Sequence, residues 1–438
     1  MLPCTTIIRL ALCLSAGTGI AWAAEFAPFI DSSATGLSAL SSAILGDNSR
    51  ITVTPASVKF TGTTTLAKPS TSYAKKIDLG THGDSFYELS RDGVLFTTGN
   101  GVPPLSNTES GFGAEQNPDV TDAELTKLVG KKTHDTTALE FDFTVAPGVQ
   151  SLGFEFMFMS DEFPEFADSE FVDAAAIYVD GVNYAYYNND PGKYLSVKSN
   201  LISGVSLFYD NKASVLPIEY DGVTRPAGVL APLNTALATH HLRIAIADTG
   251  DQVLDSAIMV ADLFGSDQIV PSGSAGIVPL ASPRMTNYKV NTKEGAAAVT
   301  IPVRLSQPAL EPVSVTYELT GTAVLGVDYS SSTNLAVGTI SFAVGEYTKD
   351  VVIRPLTDGG TDGSKTLTFR LTSGIKAIPL RNKSVIVEIA DIDGKSASGH
   401  VMGDGSGGLC GAGTGISAIL GALSLMLVRL GLRHRREE

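Results

Sequence analysis

Cysteine is almost missing from this chain: Cys4, Cys13 and Cys410 are the only three in 438 residues. Two of them fall inside an N-terminal stretch that reads as an export signal, so the mature chain keeps one thiol and cannot close an internal disulfide. Stability must then come from packing and from any bound ions, even in an oxidising compartment. Basic charge is scarce as well. Lys and Arg total 31 against 46 Asp and Glu, a net charge of −15, which argues against nucleic acid or anionic lipid as partners of the body of the chain and favours cations. Helical periodicity is rarely sustained. Short Val-, Thr-, Ile- and Phe-rich runs bounded by Gly, Asn, Asp and Pro indicate an all-β fold.

Catalytic signatures are lacking too. The histidines His82, His134, His240, His241, His400 and His434 show no H-E-x-x-H spacing, and no G-x-S-x-G elbow is present. Two S-x-x-K matches, Ser72 to Lys75 and Ser373 to Lys376, read as chance, and His240-His241 as edge packing rather than a zinc pair. The expectation is a non-enzymatic protein. Paired carboxylates between Asp161 and Asp173 could flank a glycosidic bond, which keeps an extracellular carbohydrate-active enzyme as the alternative, beside a passive structural matrix component.

The densest information lies between Phe154 and Tyr186. Phe154, Phe156 and Phe158 recur with period two, which puts three rings on one face of an extended segment. The acidic stretch that follows is expected to stay out of the core, because Asp161, Glu162, Glu165, Asp168, Glu170 and Asp173 must be solvated, neutralised by a cation or matched by a basic partner. Asp180-Gly181 then suits a two-residue hairpin turn, whose central positions both need positive φ.

The two ends suggest a location. Met1 to Ala23 combine Arg9, an apolar Leu10–Ile20 stretch and Ala21-Trp22-Ala23 at a cleavage-like position, so maturation near Ala24 is expected. A lipoprotein site at Cys13 is the rival. At the other end a Gly-rich hinge (395–415) containing Cys410 leads into an apolar run, Ile416 to Leu432, and a basic tail, Arg433 to Arg436. A run near the ~17-residue lower limit for a spanning helix, followed by arginines that stay cytoplasmic, implies a membrane-retained C-terminal hydrophobic helix (416–438) with the body facing outward. This tail resembles bacterial C-terminal sorting signals, a resemblance that would make Cys410 the anchor-processing position; a simple tail anchor is the alternative.

Between the ends, two domains are expected at 24–264 and 285–394, joined by a Ser-, Pro- and Gly-rich linker at 265–284. In the first, Leu139-Glu140-Phe141-Asp142-Phe143, the Phe154–Phe163 segment, Val179-Asp180-Gly181, Tyr220-Asp221-Gly222-Val223-Thr224 and the run from Ile246 to Ser256 resemble, in order, the bacterial choice-of-anchor L domain. That resemblance implies an exported β-rich surface domain and names no ligand. Asp161, Glu162, Asp168 and Asp173, with Asp248, Asp251 and Asp255, are candidate Ca²⁺ ligands, since Ca²⁺ takes six to eight hard oxygens; a hydrogen-bonded acidic loop without an ion is the alternative.

In the second domain Val299, Ile301, Val303 and Leu305 alternate, as do Val313, Val315 and Tyr317, Leu367, Phe369 and Leu371, and Val385, Val387 and Ile389, the signature of a β-sandwich. Glu294-Gly295, Gly326-Val327-Asp328-Tyr329, Gly338-Thr339-Ile340-Ser341-Phe342 and Asp391-Ile392-Asp393 resemble the immunoglobulin-like Calx-beta domain. By that resemblance Glu294, Asp328, Asp358, Asp391 and Asp393 would bind Ca²⁺. The stretch from Asp358 to Lys365 departs from the family pattern, with fewer carboxylates and an added lysine, and weaker or missing sites are expected there. The reading is an exported, envelope-anchored surface protein with an adhesive or ligand-binding role toward a surface polysaccharide or protein; the residues leave the ligand and the oligomeric state undetermined.

Overall fold

The structure, a computed structural model, describes residues 24–268, 280–283 and 288–392 apart from short stretches within them. The chain is all-β, with strands arranged as two sandwiches. The export-signal and tail segments, Cys410, Asp251 and Asp393 lie outside the described residues. Among the described residues no helix is long and apolar enough to cross a membrane.

The first sandwich packs an eight-stranded sheet on a six-stranded one. Strand Ser151–Ser160 is central in the larger sheet, paired with Ser256–Ser266 on one side and with Gly222–Thr224 and Ala227–Pro232 on the other. The smaller sheet is built on His240–Thr249, which lies between Ala174–Val179 and Thr133–Val145. Phe154, Phe156 and Phe158 enter the core between the sheets together, against Leu139, Phe141, Ile177 and Ile244. The opposite face of the same strand is no less buried. Met157 and Met159 pack with Leu79, Tyr87, Leu89, Phe112, Leu216 and Ile218 in a second apolar layer on the outside of the sheet, so all ten residues of the strand are buried.

Asp180 and Gly181 adopt φ of 49° and 80° and join Val179 to Val182 in a tight hairpin, as the dipeptide predicts. Its second strand pairs only over Val182–Asn183, shorter than the Val182–Tyr186 alternation suggests.

The second sandwich packs two five-stranded sheets around Ile301, Val303, Val315, Tyr317, Ile353, Leu367 and Val387. All four alternating runs form strands with those residues turned inward. Tyr288–Lys293 joins its sheet in parallel with Ser384–Ala390, so Glu294 and Asp391 leave adjacent strands at the same end. Leu280–Pro283, inside the stretch that composition reads as linker, pairs with Val303 to Leu305 as an added strand.

Candidate functional site

Two groups of carboxylates lie at strand ends, one in each sandwich. In the second sandwich, Glu294 follows Tyr288–Lys293, Asp328 precedes Tyr329–Ser331, and Asp358 and Asp362 sit in the connection from Thr348–Pro355 to Lys365–Ile375. Gly359 and Gly363 take φ of 74° and 82°, values a residue with a Cβ resists, and these turns fold the connection back on itself. One oxygen from each of Glu294, Asp358 and Asp362 then lies within 4.8 Å of the others. Glu294 is buried while the two aspartates are exposed. Asp328 is also buried: its Oδ2 accepts the Val324 N–H at 2.6 Å, and its Oδ1 has no hydrogen-bond partner.

Lys365 faces this group. Its ammonium lies 2.8 Å from Asp362, and its pKa is raised first by the hydrogen bond to Asp362, with Asp328 and Asp358 adding to it. Asp391 serves the same end differently, its Oδ2 accepting the Gly363 N–H at 2.9 Å and pinning the connection. Of the residues expected to bind a cation here, Glu294 and Asp358 converge, Asp328 adds a buried oxygen, and Asp391 clamps the loop. Asp362 was missed as a candidate. Its signal was the pair of glycines around it, which allow a six-residue stretch to present two carboxylates to one point.

In the first sandwich the expectation that the acidic stretch stays outside the core is corrected. Asp161, Glu162 and Asp173 are 3%, 2% and 1% exposed, whereas Glu165, Asp168 and Glu170 face solvent. Backbone donors explain how part of the charge is tolerated. Asp161 accepts the N–H groups of Phe112 at 2.5 Å and Asp221 at 3.3 Å; Glu162 accepts the Asp173 N–H at 2.8 Å. Burial, followed by the charge of Asp221, still pushes the Asp161 carboxyl up to about 7.

Asp173, Asp248 and Asp255 come together beside Thr98. Asp168 does not join them, for it bonds the Ser199 hydroxyl on the surface. Thr98, Asp135 and Glu219 were not anticipated. Glu219, fully buried, accepts the N–H groups of Thr108 and Glu109 and so anchors one wall of a pocket of about 260 Å³ lined by Asn107, Thr108, Glu109, Glu165, Lys212 and Asp221. The adjacent histidines engage separate acids: His240 Nδ1 lies 2.8 Å from Asp180 and His241 Nδ1 2.8 Å from Asp142.

A family model described as the Choice-of-anchor L domain matches residues 31–263, more than half of the chain. The chain belongs to that family. The match covers most of the first sandwich, its buried acids included. No curated protein matches. Among solved structures, the apo form of the Calx CBD1 domain is similar at 21% identity, over 24% of this chain and 89% of that one, with a TM-score of 0.21. CBD12 from CALX1.2 is similar at 22% identity over 26% of this chain and 44% of that one, with a TM-score of 0.22. A Bacteroides uniformis beta-glucuronidase is similar at 10% identity over 77% of this chain and 31% of that one, with a TM-score of 0.20.

Proposed function

We propose that this choice-of-anchor L protein is an exported, envelope-anchored surface protein that binds rather than transforms its ligand, and that its second sandwich is stiffened by Ca²⁺. The observation that carries the cation reading is the Glu294, Asp358 and Asp362 trio, with oxygens within 4.8 Å, next to the buried and unpartnered Oδ1 of Asp328. Like charges this close are costly until a divalent ion neutralises them. An all-oxygen donor set of irregular geometry suits Ca²⁺ better than Zn²⁺ or Mg²⁺. Lys365 competes for Asp362, which sets this site toward the weaker affinities of extracellular modules, on the order of 10⁻⁴ to 10⁻³ M.

Support for the surface reading comes from family membership over residues 31–263, the signal-like N-terminus and the apolar run followed by the Arg433–Arg436 cluster. Protein or polysaccharide ligands then fall to the first sandwich. Two measurements test this. Ca²⁺ titration of the full chain by calorimetry should show binding that weakens at least tenfold in Glu294→Gln; equal heats in both proteins remove the ion from this site. Protease added to intact cells should cleave the protein; protection until lysis removes the surface location.

A further inference from the structure

We propose a second cation site, for Ca²⁺, between the two sheets of the first sandwich, formed by Asp173, Asp248, Asp255 and the Thr98 hydroxyl. It lies where four strands begin or end. Asp173 precedes Ala174–Val179, Asp248 is next to last in His240–Thr249, Asp255 precedes Ser256–Ser266 and Thr98 follows Gly93–Thr97. The register fixes them at one end of the sandwich: Ala174 pairs with Ala247 in the smaller sheet, and Ala257 with Thr97 in the larger. Each carboxylate is therefore placed by a strand on rigid backbone, two from one sheet and one from the other.

Asp248 is short of donors in this place. Asp173, Asp248 and Asp255 are 1%, 2% and 2% exposed. The Thr98 hydroxyl has one hydrogen, and within its reach are Asp173 Oδ2 at 3.5 Å, the Ser256 carbonyl at 3.5 Å and the Asp248 carboxylate. Asp248 Oδ1 is buried with no hydrogen-bond partner. Buried as it is, Asp248 is faced by the charges of Asp173, Asp255 and Asp135, all acids. Asp255 Oδ2 accepts the Asn100 N–H at 3.3 Å and lies so close to the backbone that a Cβ on Gly99 would fall 1.5 Å from it. An anionic, oxygen-only space between two sheets calls for a hard cation. These three carboxylates are more open than the Glu294 trio, the only three-carboxylate group within 4.8 Å among the described residues, so the ion would draw them inward.

The test uses the full chain carrying Glu294→Gln and Asp358→Asn, which silence the other site. In that background millimolar Ca²⁺ should raise the melting temperature of the first sandwich by about 5 °C relative to chelator, and Asp248→Asn should abolish the rise. Because Asp248→Asn keeps a neutral side chain of the same shape among these acids, the chelated protein should melt no lower than its parent. A second readout is independent of stability. Tyr220, buried and acted on by the charges of Asp255, Asp161 and Asp173, should sensitise Tb³⁺ emission, which Tyr220→Phe removes while the Ca²⁺-induced rise persists. An equal Ca²⁺ response with and without Asp248→Asn overturns the site, as does a response to pH alone with none to Ca²⁺ or Tb³⁺.

Discussion

Asp161 carries opposing demands. Two backbone N–H groups favour its charged form, while burial and the neighbouring Asp221 disfavour it, and the second pair wins by enough to bring the carboxyl to about 7. An unfolded aspartate titrates near 3.8, so between the two values the native state holds more proton than the unfolded chain. Stability is then fully present below about pH 4 for this group and is lost as pH rises toward 7. The first sandwich should accordingly melt several degrees lower at pH 8 than at pH 5. Asp161→Asn should flatten that dependence in part, since Asp248 is raised as well. It should also cost about 1–3 kcal/mol at pH 5, because its amide nitrogen would confront one of the two N–H donors. Thermal melts of both proteins across this range check the sign; a wild-type melting temperature that climbs with pH contradicts it.

Among the strands, Ser151–Ser160 separates what sequence discloses from what it withholds. The inward turn of Phe154, Phe156 and Phe158 follows from alternation, and the Asp180-Gly181 turn from the demand for positive φ, both local properties. Burial of Met157 and Met159 is not local, since it depends on residues as distant as Leu79 and Ile218 folding over the outer face. The same reason hid Asp161 and Asp173: the Phe112 and Asp221 N–H groups donate to the first and the Thr98 hydroxyl to the second, and no spacing within the acidic stretch announces these distant donors. The candidate carboxylates of the second sandwich came from the resemblance to the Calx-beta domain, not from alternation. Asp362 escaped because its position depends on two glycine turns. A strand buried on both faces predicts symmetric sensitivity. Phe156→Ala should destabilise by about 3–5 kcal/mol and Met157→Ala by about 2–5 kcal/mol, measured by denaturant unfolding; a Met157→Ala cost under about 0.5 kcal/mol, typical of a solvent-facing position, would show the outer layer to be loosely held.

On the scale of the whole molecule, the cores around Phe156 and around Tyr317 share no residue, so two melting transitions are expected rather than one. The chain also carries a net charge of −15, and general repulsion among exposed acids must be told apart from repulsion inside the buried groups. Monovalent salt distinguishes them. At about 0.1 M it screens exposed charges beyond about 10 Å but reaches buried pairs far less, and Glu294 and Asp328 are both only 3% exposed. Added NaCl should therefore move the second transition little, whereas Ca²⁺ at about a hundred times its dissociation constant should stabilise that module by about 2.7 kcal/mol per site. Glu294→Gln should erase the Ca²⁺ shift of the second transition and leave that of the first. Calorimetry at matched ionic strength decides the matter: if NaCl and Ca²⁺ raise the second transition equally, exposed charge rather than the Glu294 group governs its stability, and the case for an ion-stiffened module fails.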